Sequence, residues 1–81
     1  METKPIPIAD VYVPAKRRRT LEDAKVDELA ESILEDGVKV PIQVRQDGER
    51  LILVEGLHRL EAARALGEET IPGIYVGAKR Y

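Results

Sequence analysis

Arg50-Leu51-Ile52-Leu53-Val54-Glu55-Gly56-Leu57-His58-Arg59 decides how this chain is read. The apolar run Leu51–Val54 has no helical period and is short, so it reads as a strand buried on both faces. Glu55-Gly56-Leu57 breaks that strand. A helix is then expected from about His58 to Leu66, with Leu60, Ala63 and Leu66 facing inward and Gly67 as its stop. A buried strand that meets a glycine and then opens a helix is a ready anion site. The helix start leaves backbone N–H groups unpaired, the dipole is positive there, and glycine lets a ligand approach the backbone. His58 and Arg59 fall in the first turn, where cations normally oppose the dipole at about 0.3–1 kcal/mol each. A bound phosphate would give both a purpose: arginine offers a planar fork and histidine a donor from either ring nitrogen. The competing reading is that His58 packs while Arg59 reaches solvent or pairs with Glu55. The short motif alone leaves both open.

Working outward, Ile42-Gln43-Val44-Arg45 alternates like a half-exposed strand, and Asp47-Gly48 supplies a hairpin turn into Arg50–Val54. Ile71–Val76 reads as a last short strand with Pro72 near its start. At the other end, Ile6, Ile8, Val11 and Val13 are interrupted by Pro5, Pro7 and Pro14, so a strand there belongs at a sheet edge. Lys16-Arg17-Arg18-Arg19 is the densest basic run, either a solvated loop or a contact for phosphate or nucleic acid. Thr20-Leu21-Glu22-Asp23 is a helix-start signal, with a hydroxyl to cap and acids in the first turn. Helix one should run from about Glu22 to Glu35, with Val26, Leu29, Ala30, Ile33 and Leu34 as one apolar stripe. Gly37 and Pro41 end it. Lys25 and Ser32 lie on its more polar flank. Strand, helix, hairpin, helix, strand is the order of a small α+β domain.

Composition narrows the function. The chain has 81 residues, enough for one small domain with a modest core. Without cysteine there is no disulfide framework, thiol nucleophile or Cys-ligated metal, and one histidine rules out a His-rich metal site. Thirteen Lys and Arg against fifteen Asp and Glu leave a net charge of −2, unlike a general nucleic-acid coat. With no membrane-length apolar run and no signal core after Met1-Glu2-Thr3-Lys4, a cytoplasmic location is expected.

Taken together, Leu21–Val26, the helix to Asp36, Val40-Pro41-Ile42, Gly56-Leu57-His58-Arg59 and Glu69-Thr70-Ile71-Pro72 resemble the fold shared by sulfiredoxin and the N-terminal domain of ParB. The resemblance spans nearly the whole chain. It implies one domain over residues 1–81 with a mixed sheet of about four strands and two main helices. The sulfiredoxin turn reads Gly-Cys-His-Arg; its His and Arg hold ATP phosphates and its Cys does the chemistry. His58 and Arg59 match, but Leu57 stands in place of the Cys, so sulfinic acid reduction is not expected. Lys25 matches a nucleotide-contacting Lys on the sulfiredoxin helix, Ser32 approximates a Thr, and Glu28 occupies a Ser position. An arginine from Arg17, Arg18 or Arg19 would complete the set. The ParB turn reads Gly-Glu-Arg-Arg and grips CTP phosphates; Gly56 and Arg59 match it. The free serine kinases, a related branch, place an acid before the glycine. That implies Glu55 as the group orienting a hydroxyl or a phosphate-bound magnesium, with His58 beside it.

The resemblance therefore implies a nucleotide-binding domain using Gly56, Leu57, His58, Arg59, Lys25, Ser32 and one of Arg17–Arg19. Glu55 and His58 are its candidate catalytic groups for phosphotransfer or nucleotide hydrolysis. ATP, ADP or CTP is the expected cofactor, with magnesium carried by the nucleotide rather than held by a dedicated protein site. The alternative is a DNA-associated module, for plasmid partition, transcriptional regulation or a nuclease-like role, with DNA or a DNA-associated protein as partner. ParB continues into an Asn-rich helix and a helix-turn-helix, so clamp behaviour and sequence-specific DNA binding are not expected of these 81 residues. No membrane partner is expected. The base, the phosphate acceptor and the oligomeric state stay open.

Overall fold

A computed structural model describes residues 2–77. The expected single domain extends to Tyr81, which lies outside the described residues. The strands are β1 (Lys4–Pro7), β2 (Val11–Tyr12), β3 (Ile42–Asp47), β4 (Arg50–Glu55) and β5 (Thr70–Tyr75). The helices are α1 (Ala15–Arg18), α2 (Asp23–Asp36) and α3 (Leu57–Ala65), and a 3-10 turn spans Ile8–Asp10.

The strands form one mixed sheet in the order β1-β5-β3-β4-β2. β1 runs antiparallel to β5, β5 parallel to β3, β3 antiparallel to β4, and β4 parallel to β2. The described sheet therefore has five strands rather than about four. The prolines explain the difference. Pro7 and the 3-10 turn after it split the N-terminal segment, sending β1 to one edge and β2 to the other, the places where a missing N–H is tolerated. The basic run expected as a loop is largely helical: Pro14 is the N-cap of α1, and its carbonyl accepts from the N–H groups of both Arg17 and Arg18. The β3–β4 turn is Gly48-Glu49, with Asp47 paired to Arg50.

One apolar cluster joins the sheet to α3. Ile6, Ile42, Val44, Leu53 and Ile71 meet Leu57, Leu60 and Ala63, and no charged residue is buried among the described residues. α2 packs against α3 rather than directly on the sheet. Consequently none of its residues is fully buried, and Leu34, expected to face inward, is 75% exposed. Its stripe of five residues meets mainly α3, and Leu34 stands on the exposed edge of that stripe. Leu66 is likewise only half-buried, because it stands at the C-cap of α3.

Two local features place the functional turn. Gln43 pairs with Glu55 whereas Val44 pairs with Leu53, so Val54 is an extra residue that takes Glu55 out of alternation with Leu53. Gly56 then turns with φ 106°. A Cβ there would lie 2.7 Å from Ile42 Cγ2 and 3.2 Å from Ile42 Cα. Gly37, the C-cap of α2, has φ 77° but open space where its Cβ would be. Urea unfolding should separate these two costs. Gly37→Ala should lose about 1–3 kcal/mol from its positive-φ backbone alone. Gly56→Ala should lose about 2–4 kcal/mol, because overpacking against Ile42 is added.

Candidate functional site

α3 begins at Leu57, with Gly56 as its N-cap and no side chain capping it. The first backbone bond of the helix runs from Leu60 N–H to the Gly56 carbonyl, 2.9 Å. The N–H groups of Leu57, His58 and Arg59 come before it and have no intrahelical acceptor. They border a cavity of about 280 Å³ lined by Arg17, Thr20, Glu55, Gly56, Leu57, His58 and Arg59.

Arg17 enters from α1, and its Nη1 lies 3.9 Å from Glu55 Oε2. Both side chains are substantially exposed, so this pair contributes about 0–1 kcal/mol and mainly records proximity. Glu55 thus pairs with Arg17 rather than Arg59. Arg59 Nε is buried without a hydrogen-bond partner. Such a donor costs about 1–3 kcal/mol when left unmade. Arg59 also borders a second, mostly apolar hollow of about 210 Å³ that includes Leu29, Ser32 and Val40.

His58 is already engaged. Its Nε2 accepts the backbone N–H of Glu22, the N-cap of α2, at 3.0 Å. Nε2 is therefore unprotonated in this arrangement, and Nδ1 carries the ring proton.

The remaining sequence candidates separate. Leu57 is 6% exposed and belongs to the apolar cluster. It follows the core-facing turn, so it offers the cavity its backbone N–H rather than its side chain. Lys25 pairs with Glu22 at 3.4 Å and does not line the cavity. Ser32 lines the second hollow, and Arg18 and Arg19 lie outside both. The Thr20 hydroxyl does not cap α2: it donates to the Arg17 carbonyl at 2.7 Å, and Glu22 takes the N-cap position. Thr20 thereby becomes a cavity residue that sequence reasoning missed; the only hint was its place directly after the basic run. Its position depends on how α1 ends, which no local pattern specified.

Larger hollows lie elsewhere. One of about 550 Å³ lies beside Pro7, Ile8 and Arg64, but Arg64 pairs with Glu61, and Glu68 and Glu69 border the space. That chemistry repels an anion. Among the described residues no group of three or more imidazole and carboxylate side chains is placed to hold a metal. No helix among them is long and apolar enough to cross a membrane.

Residues 2–79 match the ParB N-terminal domain family. The chain is 36% identical over 70 residues to the chromosome-partitioning protein ParB of Myxococcus xanthus, covering 85% of this chain and 24% of that protein. It spans about a quarter of the length of the curated relatives it matches. Among solved structures, sulfiredoxin of Arabidopsis thaliana superposes with a TM-score of 0.86 at 31% identity, covering 96% of this chain and 88% of that one. C-terminally truncated ParB of Caulobacter crescentus, complexed with CTP-γ-S, superposes at 0.83 with 29% identity, covering 98% and 46%.

The two kinds of residue around the turn should respond differently to substitution. Leu57→Ala is expected to destabilise the fold by about 2–4 kcal/mol in chemical denaturation. Glu55→Gln should shift stability by no more than about 1 kcal/mol, since it removes an exposed pair.

Proposed function

The chain belongs to the ParB N-terminal domain family, and from that premise we propose that it binds a nucleotide through its phosphates at the N-terminus of α3. The observation that carries this reading is convergence on one cavity. Three uncommitted N–H groups, Arg59 with its unsatisfied Nε, Arg17 and His58 all border it. Arg59 and Arg17 supply guanidinium donors suited to phosphate, and His58 supplies Nδ1–H. The apolar hollow on the other side of Arg59, with Ser32 in its wall, is continuous with that residue and suits the less polar part of a nucleotide. Lys25 approaches from α2 and is available if its exposed pair with Glu22 opens.

CTP ranks first among the candidate bases, because the related Caulobacter protein was solved with CTP-γ-S. ATP and ADP follow from the likeness to sulfiredoxin. Glu55 is the one carboxylate lining the cavity. A carboxylate together with phosphate oxygens suits magnesium, which would neutralise phosphate charge there. In phosphotransfer or hydrolysis Glu55 would orient the attacking hydroxyl or water and His58 would assist at the phosphate. Leu57, with no thiol and a buried side chain, does not support sulfiredoxin chemistry.

A DNA-associated role is the second reading. Lys16, Arg18 and Arg19 are exposed and outside the cavity, and they have no ion-pair partner among the described residues.

Thermal melting with CTP, ATP, ADP and GTP, each with magnesium, tests the first reading. At ten times Kd the binding nucleotide should add about 1.4 kcal/mol, a rise of about 6–11 °C for a domain of this size. Arg59→Ala should abolish the rise; no rise with any nucleotide at millimolar concentration overturns the reading. For the second reading, DNA retention in a low-salt gel shift should fall steeply with salt. It should also weaken when Lys16, Arg18 and Arg19 are replaced by alanine, and no retention at low salt excludes DNA binding by this domain.

A further inference from the structure

We propose that His58 serves this site as a positioning residue: its neutral imidazole latches the N-terminus of α2 to the phosphate-facing turn through Nε2. The proposal rests on the phosphate reading above and reassigns what the histidine does within it. The family resemblance makes His58 a direct phosphate ligand, free to donate from either ring nitrogen. The geometry removes one of those choices, because Nε2 is occupied as an acceptor from Glu22 N–H at 3.0 Å.

The local sequence explains why α2 needs this acceptor. In a capping box, the residue three positions after the N-cap reaches back to accept the N-cap's own N–H. Here Glu22 is the N-cap, and the residue in that position is Lys25, whose ammonium has donors only. Its Nζ turns instead to the Glu22 carboxylate, 3.4 Å away. The Glu22 N–H is therefore left for an acceptor from outside the helix, and α3 provides one thirty-six residues later in the chain.

Two consequences follow for the site. Accepting at Nε2 fixes the tautomer, so Nδ1–H is the only ring donor available to a phosphate. A neutral His58 can then bridge Glu22 N–H and a phosphate oxygen in one chain of hydrogen bonds. The same bond ties α2, which carries Lys25 and Ser32, to the turn that carries Gly56 and Arg59. Protonating the ring removes the Nε2 lone pair and with it the latch. The charged groups around His58 are Arg17 from α1, Glu55 at the end of β4 and Arg59 beside it on α3, which line the same cavity, and the mutually paired Glu22 and Lys25 at the start of α2, where the latch bond ends. They are of both signs, so charge alone does not assign the imidazole an ionic role.

The test uses three variants, each first checked for a cooperative melt. His58→Gln keeps a side-chain acceptor and cannot titrate. His58→Lys keeps positive charge and donors but has no acceptor, and His58→Ala has neither. In the nucleotide-free protein, amide exchange at Glu22 should be slow in the wild type and in His58→Gln. It should be roughly three- to tenfold faster in His58→Lys and His58→Ala, the worth of one hydrogen bond. A scalar coupling between Glu22 15N and His58 15Nε2 in the wild type reads the bond without any substitution. With CTP and magnesium, His58→Lys and His58→Ala should weaken affinity by about three- to tenfold, and His58→Gln, which keeps the acceptor, should lose less than either. Tight binding by His58→Lys with loss in His58→Gln would overturn the proposal in favour of a directly charged ligand. So would a Glu22 exchange rate that none of the substitutions changes. If the wild type binds no nucleotide, the phosphate reading fails by itself, and Glu22 exchange and the 15N coupling still decide for or against the latch.

Discussion

Gly56 stands against Ile42 with no room between them for a side chain, and its left-handed backbone would strain any other residue. Ile42 is fully buried and, with Ile6, also presses on Gly73, where a Cβ would lie 2.6 Å from Ile6 Cγ1 and 3.0 Å from Ile42 Cγ1. The centre of the sheet and the floor of the cavity are thus set by the same side chain. Leu57, the first residue of α3, is sunk into that core immediately after the turn. The N–H groups beside it are positioned by apolar packing, so the backbone donors at the cavity are held in place by the core.

This arrangement divides the work between apolar and charged residues. The five ion pairs among the described residues are all on the surface, and four of them are local pairs three residues apart. Pairs of that kind contribute little to stability. Only the Arg17–Glu55 pair joins distant elements, and it does so at the cavity. The fold is held by the cluster between the sheet and α3, leaving the cations of the cavity free of a structural duty. His58 is the exception, since it is the one cavity side chain hydrogen-bonded to α2. α2 itself is attached through a half-buried stripe on α3, so a single well-placed hydrogen bond at its start has more consequence than it would in a deeply packed helix.

Much of this was legible along the chain. Periodicity located α2, α3 and the β3–β4 hairpin to within a residue or two, and the strand–glycine–helix pattern picked out the turn that borders the cavity. The prolines correctly sent the first segment to a sheet edge, but could not show that its two halves occupy opposite edges, because strand order depends on pairings far apart in sequence. Leu34 was misplaced because a helical wheel marks an apolar face without saying how wide its neighbour is. Leu57 lines the cavity, but motif alignment is blind to which way its side chain points, and that side chain belongs to the core.

By itself, then, the sequence determined the order of α2, the β3–β4 hairpin, α3 and β5, the α+β class, the absence of thiol chemistry and the identity of the turn where cations meet a helix start. These are local properties of period, glycine placement and side-chain type. Only the tertiary structure decided that Arg17 reaches the cavity while Arg18 and Arg19 do not, that Glu55 faces Arg17, and that His58 spends one ring nitrogen on Glu22. Each depends on α1, β4, α2 and α3 meeting in space. A hydrogen bond between residues thirty-six apart leaves no mark on either local pattern.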